Sequence, residues 1–166
     1  MEALNFARYS KQYANDAVRN EVLWATLTAN ISFANGPGTP AGPAEFENFK
    51  AWKTILLRAS IEDWDQIAMP IEFFRKVQAY VHTMGIAGKR RVFMSEQGFL
   101  GLGPEDLKEG DRIAIFHGAA TPFIIREVGS LQGVIEKYAL VGESYMHSLM
   151  SGECLSMGNG QQIVLV

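Results

Sequence analysis

The sequence changes texture once, at Gly85-Ile-Ala-Gly88. Before that point apolar and aromatic residues return every three or four positions, which lays a greasy stripe along helices. After it the runs are short, β-branched and broken by glycine, the pattern of an antiparallel sheet. A chain that places its helices first and its strands second is α+β. The expected architecture is a set of N-terminal helices packed against a small antiparallel β-barrel in the C-terminal half, closed or half-closed. Both halves belong to one expected domain over residues 1–166, with a helical part at 1–85 and a barrel part at 86–166.

Helices are expected over residues 4–28, 44–60 and 61–83, the last carrying Trp64, Ile67, Ile71, Phe74, Val77 and Val81 at helical spacing. Pro70 interrupts it, so a break is expected near Met69 with Pro70 starting a new segment where its missing amide does no harm. Residues 35–43, Asn-Gly-Pro-Gly-Thr-Pro-Ala-Gly-Pro, read as a mobile loop. Strands are expected over 91–94, 98–102, 112–116, 123–128, 134–141 and 161–165, with Glu109-Gly110-Asp111 as the turn that aims the third.

Composition narrows the partners. The 166 residues (18.4 kDa) are 48% apolar, enough for a real core without metal or disulfide. A net charge of -3 argues against nucleic acid, which asks for a basic surface. The single cysteine, Cys154, forms no internal bridge, which fits a reducing, cytoplasmic location, and no apolar run is long enough to span a bilayer. The glycines of Gly98-Phe-Leu-Gly-Leu-Gly103 echo a phosphate-binding loop, but they open no helix and Pro104 follows, so a dinucleotide is rejected. His82, His117 and His147 fall on separate elements without metal-ligand spacing, and neither a metal nor a cofactor is expected.

Seven phrases stand in register between residues 90 and 153: Arg90-Arg-Val-Phe93, Gly98-Phe-Leu-Gly-Leu-Gly-Pro104, Glu109-Gly-Asp111, Gly118, Pro122-Phe-Ile-Ile-Arg126, Tyr138-Ala-Leu-Val-Gly-Glu-Ser-Tyr-Met-His147 and Met150-Ser-Gly-Glu153. Together they resemble the C-terminal region of fungal heterokaryon incompatibility (HET) proteins, and Val22-Leu-Trp-Ala-Thr-Leu27 resembles the helix before it. Members of that family are usually much longer and begin with the HET domain proper, the signalling part, to which nothing in this sequence is similar. The chain is then a fragment or a stand-alone relative, and its Met1 start and completing final strand favour a whole small protein. Three positions depart from the family pattern: Ser148 where glycine follows the histidine, Ser151 where aspartate precedes Gly-Glu, and His117 where a small or apolar residue is usual.

The residues with chemistry to offer are His117, Arg126, Glu143, Tyr145, His147, Met150 and Glu153, gathered if their strands neighbour one another in a barrel. Histidine trades a proton near neutral pH, so His117 is the first candidate general acid or base; its bland reading is a solvated loop residue. Tyr145 and His147 point to one side of a strand and suit joint binding of a substrate oxygen, or else fill the core as a satisfied phenol and a carbonyl-bonded imidazole. Arg126 is expected to fork onto Glu143 or Glu153, as architecture or to steady developing negative charge. Glu143, Met150 and Glu153 would line a substrate pocket, and the methionines Met94, Met146 and Met157 are gap fillers that also suit a pliable apolar wall. Cys154 has no nucleophile elbow around it.

Two functions follow. One is a cofactor-free enzyme of fungal specialised metabolism, dehydrating, isomerising or cyclising an apolar or aromatic small molecule. The other is a non-catalytic protein-interaction or regulatory module that keeps the family's role in fungal allorecognition.

Overall fold

The computed structural model describes residues 10–32, 39–59, 69–131, 135–150, 153 and 160–166. The chain divides into two compact units, Met1–Gly88 and Lys89–Val166, which coincide with the two textures of the sequence. It is α+β, with three helices in the first unit and two sheets in the second among the described residues.

Helix α1 is Asp16–Leu27. It starts later than the apolar stripe suggests because Asn15 caps it, its side chain accepting the Val18 amide at 3.0 Å. Residues 10–15 are therefore not helical, although Tyr13 is still buried; residues 4–9 lie outside the described residues. After α1, β1 (Ile31–Ser32) pairs antiparallel with β2 (Thr39–Pro40), and Pro43 opens α2 (Pro43–Ala59). The expected mobile stretch thus gives way to order at Thr39, while residues 35–38 lie outside the described residues. Glu45 explains the anchoring: its buried carboxylate accepts the Gly42 amide at 2.9 Å and the Ser32 hydroxyl, tying the small ladder to the helix start. Burial pushes the Glu45 carboxyl up, but the bonds from Ser32, Gly42 and its own amide outweigh it and hold the group below the usual carboxylate range.

Pro70 caps α3 (Ile71–Ile86), its carbonyl accepting the amides of Phe73 and Phe74, which is the fresh start the proline predicts. The expected helical positions Trp64 and Ile67 lie outside the described residues. Helix α2 supplies the aromatic spine of this unit. Phe46 meets Trp24 of α1 with ring centroids 5.7 Å apart, and Phe49 and Trp52 meet Tyr80 of α3 at 5.5 and 5.1 Å. Phe49 is fully buried among Phe46, Trp52 and Tyr80.

In the second unit, β3 (Arg90–Met94), β4 (Leu100–Pro104) and β8 (Tyr145–Met146) form one antiparallel sheet in the order β3-β4-β8. Strand β4 begins two residues later than expected because Gly98 is used in the turn. It adopts φ +90°, and its amide bonds the Ser95 carbonyl, so the hairpin closes through a glycine bulge. Gly101 then makes room for the Phe93 ring, which lies 2.4 Å from where a Cβ would stand. These glycines thus serve strand packing.

The other sheet runs β5-β6-β7-β9, with β5 (Arg112–Ala114), β6 (Phe123–Leu131), β7 (Ile135–Glu143) and β9 (Val164–Leu165). Three of its strands are antiparallel, but β9 joins β7 in parallel, contrary to the all-antiparallel expectation, and shrinks to two residues. Strand β5 stops at Ala114 because the chain then enters a turn closed by the Ala119 amide on the Phe116 carbonyl. The chain crosses between the sheets at Ser144, which separates β7 from β8 and bonds the Pro122 carbonyl through its amide (2.8 Å) and hydroxyl (3.2 Å). Among the described residues the sheets stay open and no ladder closes them into a barrel.

Phe49→Ala is expected to destabilise the helical unit by about 3–5 kcal/mol, the usual cost of emptying a buried aromatic site. All three tryptophans lie in Met1–Gly88, so denaturant unfolding followed by tryptophan fluorescence measures that unit directly. A loss under about 1 kcal/mol would show that the spine does not hold the helices together.

Candidate functional site

Of the seven candidates, the described contacts bring two together. Tyr145 opens the buried β8, and its hydroxyl lies 2.9 Å from Nδ1 of the half-buried His147 in the turn that follows. Alternation along the strand predicts the shared side, and the hydrogen bond makes the two rings a single polar unit. The turn continues through the Leu149 amide on the Met146 carbonyl, and it forces Ser148 to φ +74°, a left-handed conformation that suits glycine. Ser148 therefore sits at a strained backbone position.

Arg126 does not pair with Glu143 or Glu153. Register prevents the first: Arg126 faces Ala139 and Glu143 faces Phe123, three residues or about 10 Å along the ladder. The guanidinium instead forks onto Asp111, with Nε donating to Oδ1 at 2.7 Å and Nη2 to Oδ2 at 2.8 Å, and Nη2 also reaches the Asp106 carbonyl at 2.8 Å. Asp111 Oδ2 takes the Lys108 amide as well, at 2.8 Å, and the Asp111 side chain is only 3% exposed. This latch fastens the 105–111 turn to β6. The Arg126 guanidinium holds the Asp111 carboxyl below its ordinary range, burial acting the other way. Glu109-Gly110-Asp111 is legible in the sequence as a turn, but its aspartate as the partner of Arg126 is not, because the pairing spans fifteen residues and depends on the β5–β6 register.

The remaining candidates are spread out. His117 is exposed in the turn after β5, leaning on Gly160, where Nε2 lies 3.4 Å from the place a Cβ would take. Glu143 is exposed at the end of β7, Met150 is half-buried in the bend after β8, and Glu153 is exposed. Cys154, Met157, Ser151 and Gly152 lie outside the described residues.

A cluster that sequence reading passed over lies on the second sheet. Arg112 bonds Glu127 at 3.0 Å and Glu136 at 3.3 Å and stacks 5.5 Å from the Tyr138 ring, while the Tyr138 hydroxyl donates to Glu136. That hydrogen bond to a carboxylate raises the Tyr138 phenol above its ordinary range, with burial adding to it. The signal was available in the period-two alternation of Glu136 and Tyr138 along β7. Its half-exposed members form a cross-strand charge ladder of the kind that fixes register. Among the described residues no group of three or more metal-ligating side chains gathers, and no helix is long and apolar enough to cross a membrane.

Comparison with known proteins adds to this geometry. The sequence model of a family described as the Het-6 beta-barrel domain matches residues 51–166. The chain is also similar to heterokaryon incompatibility protein 6, OR allele, of Neurospora crassa, at 25% identity over 188 aligned residues. That alignment covers 98% of this chain but 27% of the relative, so the chain spans about a quarter of the relative's length. No solved structure matches the chain.

Two predictions arise here. Asp111→Asn removes a carboxylate whose folded pKa is depressed, so the stabilisation it forfeits is present above the unfolded value near pH 4 and lost as pH falls through the folded one. The variant is expected to be less stable at pH 7 and to show a flatter decline below pH 4 in circular dichroism titrations; parallel acid limbs would remove the latch. Ser148→Gly is expected to gain about 0.5–1 kcal/mol in thermal or denaturant melts, because relief of a left-handed side chain exceeds the entropy cost of glycine.

Proposed function

This chain belongs to the Het-6 β-barrel domain family, and from that premise we propose that it is a non-catalytic recognition module of heterokaryon incompatibility, acting in the cytoplasm through contacts with another protein. The observation that carries the reading is the likeness to an incompatibility protein along almost the whole chain. The side chains support it as well. Arg126, the cation suited to steadying charge, is already forked onto Asp111, and His117, Glu143 and Glu153 lie on exposed turns and strand ends. A recognition surface needs polar groups near its exterior, with the interior satisfied.

The Tyr145–His147 bond favours a second reading, in which the pair orients an oxygen of an apolar or aromatic small molecule and acid-base chemistry follows without a cofactor. His117 would then move the proton.

The two readings separate in one experiment. The segment of the Neurospora protein that aligns with this chain is replaced by the chain, and the chimera is scored for viability of heterokaryons with tester strains. On the recognition reading partner specificity changes with the segment, and a Tyr145→Phe chimera, which loses only the hydroxyl, behaves like its parent. Specificity that stays with the recipient sequence, at normal protein levels, overturns the recognition reading. Transfer that depends on the Tyr145 hydroxyl points to the chemistry instead.

A further inference from the structure

Of the outer strands of the strand unit, β3 is the longest, with five residues. Strand β3 pairs only with β4 among the described residues, whereas the other outer strands β5, β8 and β9 are two or three residues long. The register shows which groups face outward. The Ser95 amide on the Phe99 carbonyl closes the hairpin, so alternation makes Phe93–Gly101 and Arg91–Gly103 the hydrogen-bonded pairs of the ladder. Arg90, Val92 and Met94 therefore turn their amides and carbonyls away from β4, and Arg90 stands opposite Pro104, which has no amide to offer.

This edge is also basic in an acidic chain. Lys89, Arg90 and Arg91 are consecutive and exposed, although the net charge of the protein is -3. Arg91 gives one N–H to the Leu107 carbonyl at 2.9 Å, but no described carboxylate pairs with any of the three, including Glu105 and Asp106 just beyond Pro104. Arg112 and Arg126 of the same unit, by contrast, are both ion-paired. Beyond the cations, Val92 and Phe93 are half-buried and Met94 is 36% exposed. Charge on an edge strand commonly guards against self-pairing. The guard has a sign: it repels a second copy of β3 and draws an acidic strand.

We propose that the open edge of β3 is the docking site for an extended acidic segment of a partner protein, which adds to the sheet as a further strand. Main-chain bonds to Arg90, Val92 and Met94 supply affinity, and Lys89, Arg90 and Arg91 select carboxylates. The segment carries two or three acidic residues against the cations and small or β-branched residues against Val92 to Met94. This identification rests on the recognition reading above.

The probe is an acetylated, amidated peptide, Thr-Val-Thr-Val-Glu-Val-Glu, compared with the same peptide bearing Lys for Glu, on the ¹⁵N-labelled full chain. The acidic peptide is expected to slow amide exchange at Arg90, Val92 and Met94 at least tenfold, and to leave Arg91 and Phe93, already bonded to β4, nearly unchanged. The Lys peptide gives no protection, and binding of the acidic one weakens about tenfold between 50 and 300 mM salt. Arg90→Glu with Lys89→Glu abolishes the effect while the circular dichroism spectrum stays the same; Val92→Pro, which removes one outward amide at a position where an edge tolerates proline, weakens it independently. Protection that maps elsewhere, that is absent, or that is equal for the Lys peptide overturns the proposal. If the peptide fails while the chimera still transfers specificity, the edge is wrong and the recognition reading stands; if the peptide binds while specificity does not transfer, the reading fails and the edge remains.

Discussion

A sheet that does not close leaves backbone amides and carbonyls without ladder partners, and that constraint arranges most of what is distinctive in the strand unit. The long β6–β7 pair satisfies its own ladder over nine residues on each strand, absorbing two register shifts on the way. What hangs from it is short. Strands β5, β8 and β9 expose little edge because each is only two or three residues long. The turns that lead into β5 and β8 are fixed by specific bonds, the Arg126 latch on Asp111 and Ser144 on Pro122. Among the described residues β3 is the longest of the outer strands, and it carries adjacent cations that pair with no described carboxylate.

Local chemistry was legible in the sequence wherever it decided a local outcome. Pro70 sets the start of α3, the change of texture at Gly85 to Gly88 marks the division between units, and alternation from Tyr145 to His147 places both rings on one side. The misses have a common physical cause. Asn15, an N-cap, ends a helix that the apolar stripe alone would extend, and Gly98 is spent on a bulge rather than in a strand. Long-range partners were harder still: the sequence offered Glu143 or Glu153 to Arg126, and only the register of β6 against β5 and β7 selects Asp111. The parallel seat of β9 on β7 could not be read from so short a run, since two residues carry no period.

The backbone at Ser148, directly after His147, stands at φ +74°, where glycine would be unstrained. The turn is needed to keep Leu149 and Met146 buried while His147 comes back to the Tyr145 hydroxyl, and a chain with serine at this position keeps the same turn under strain. The strain lies beside the polar pair, at Ser148, and not within it.

The distribution of polar bonds bears on function more directly than the fold does. A catalyst keeps some of its acids, bases and cations unspent, so that substrate completes their hydrogen bonds. In the strand unit two arginines are already engaged: Arg126 by the Asp111 carboxylate and the Asp106 carbonyl, and Arg112 by Glu127, Glu136 and the Tyr138 ring. Lys89, Arg90 and Arg91, which pair with no described carboxylate, stand together at the start of β3, where the outward backbone groups of Arg90, Val92 and Met94 have no ladder partner among the described residues. Charge and main-chain hydrogen-bonding capacity thus coincide there, which is the combination that the proposed strand addition would use.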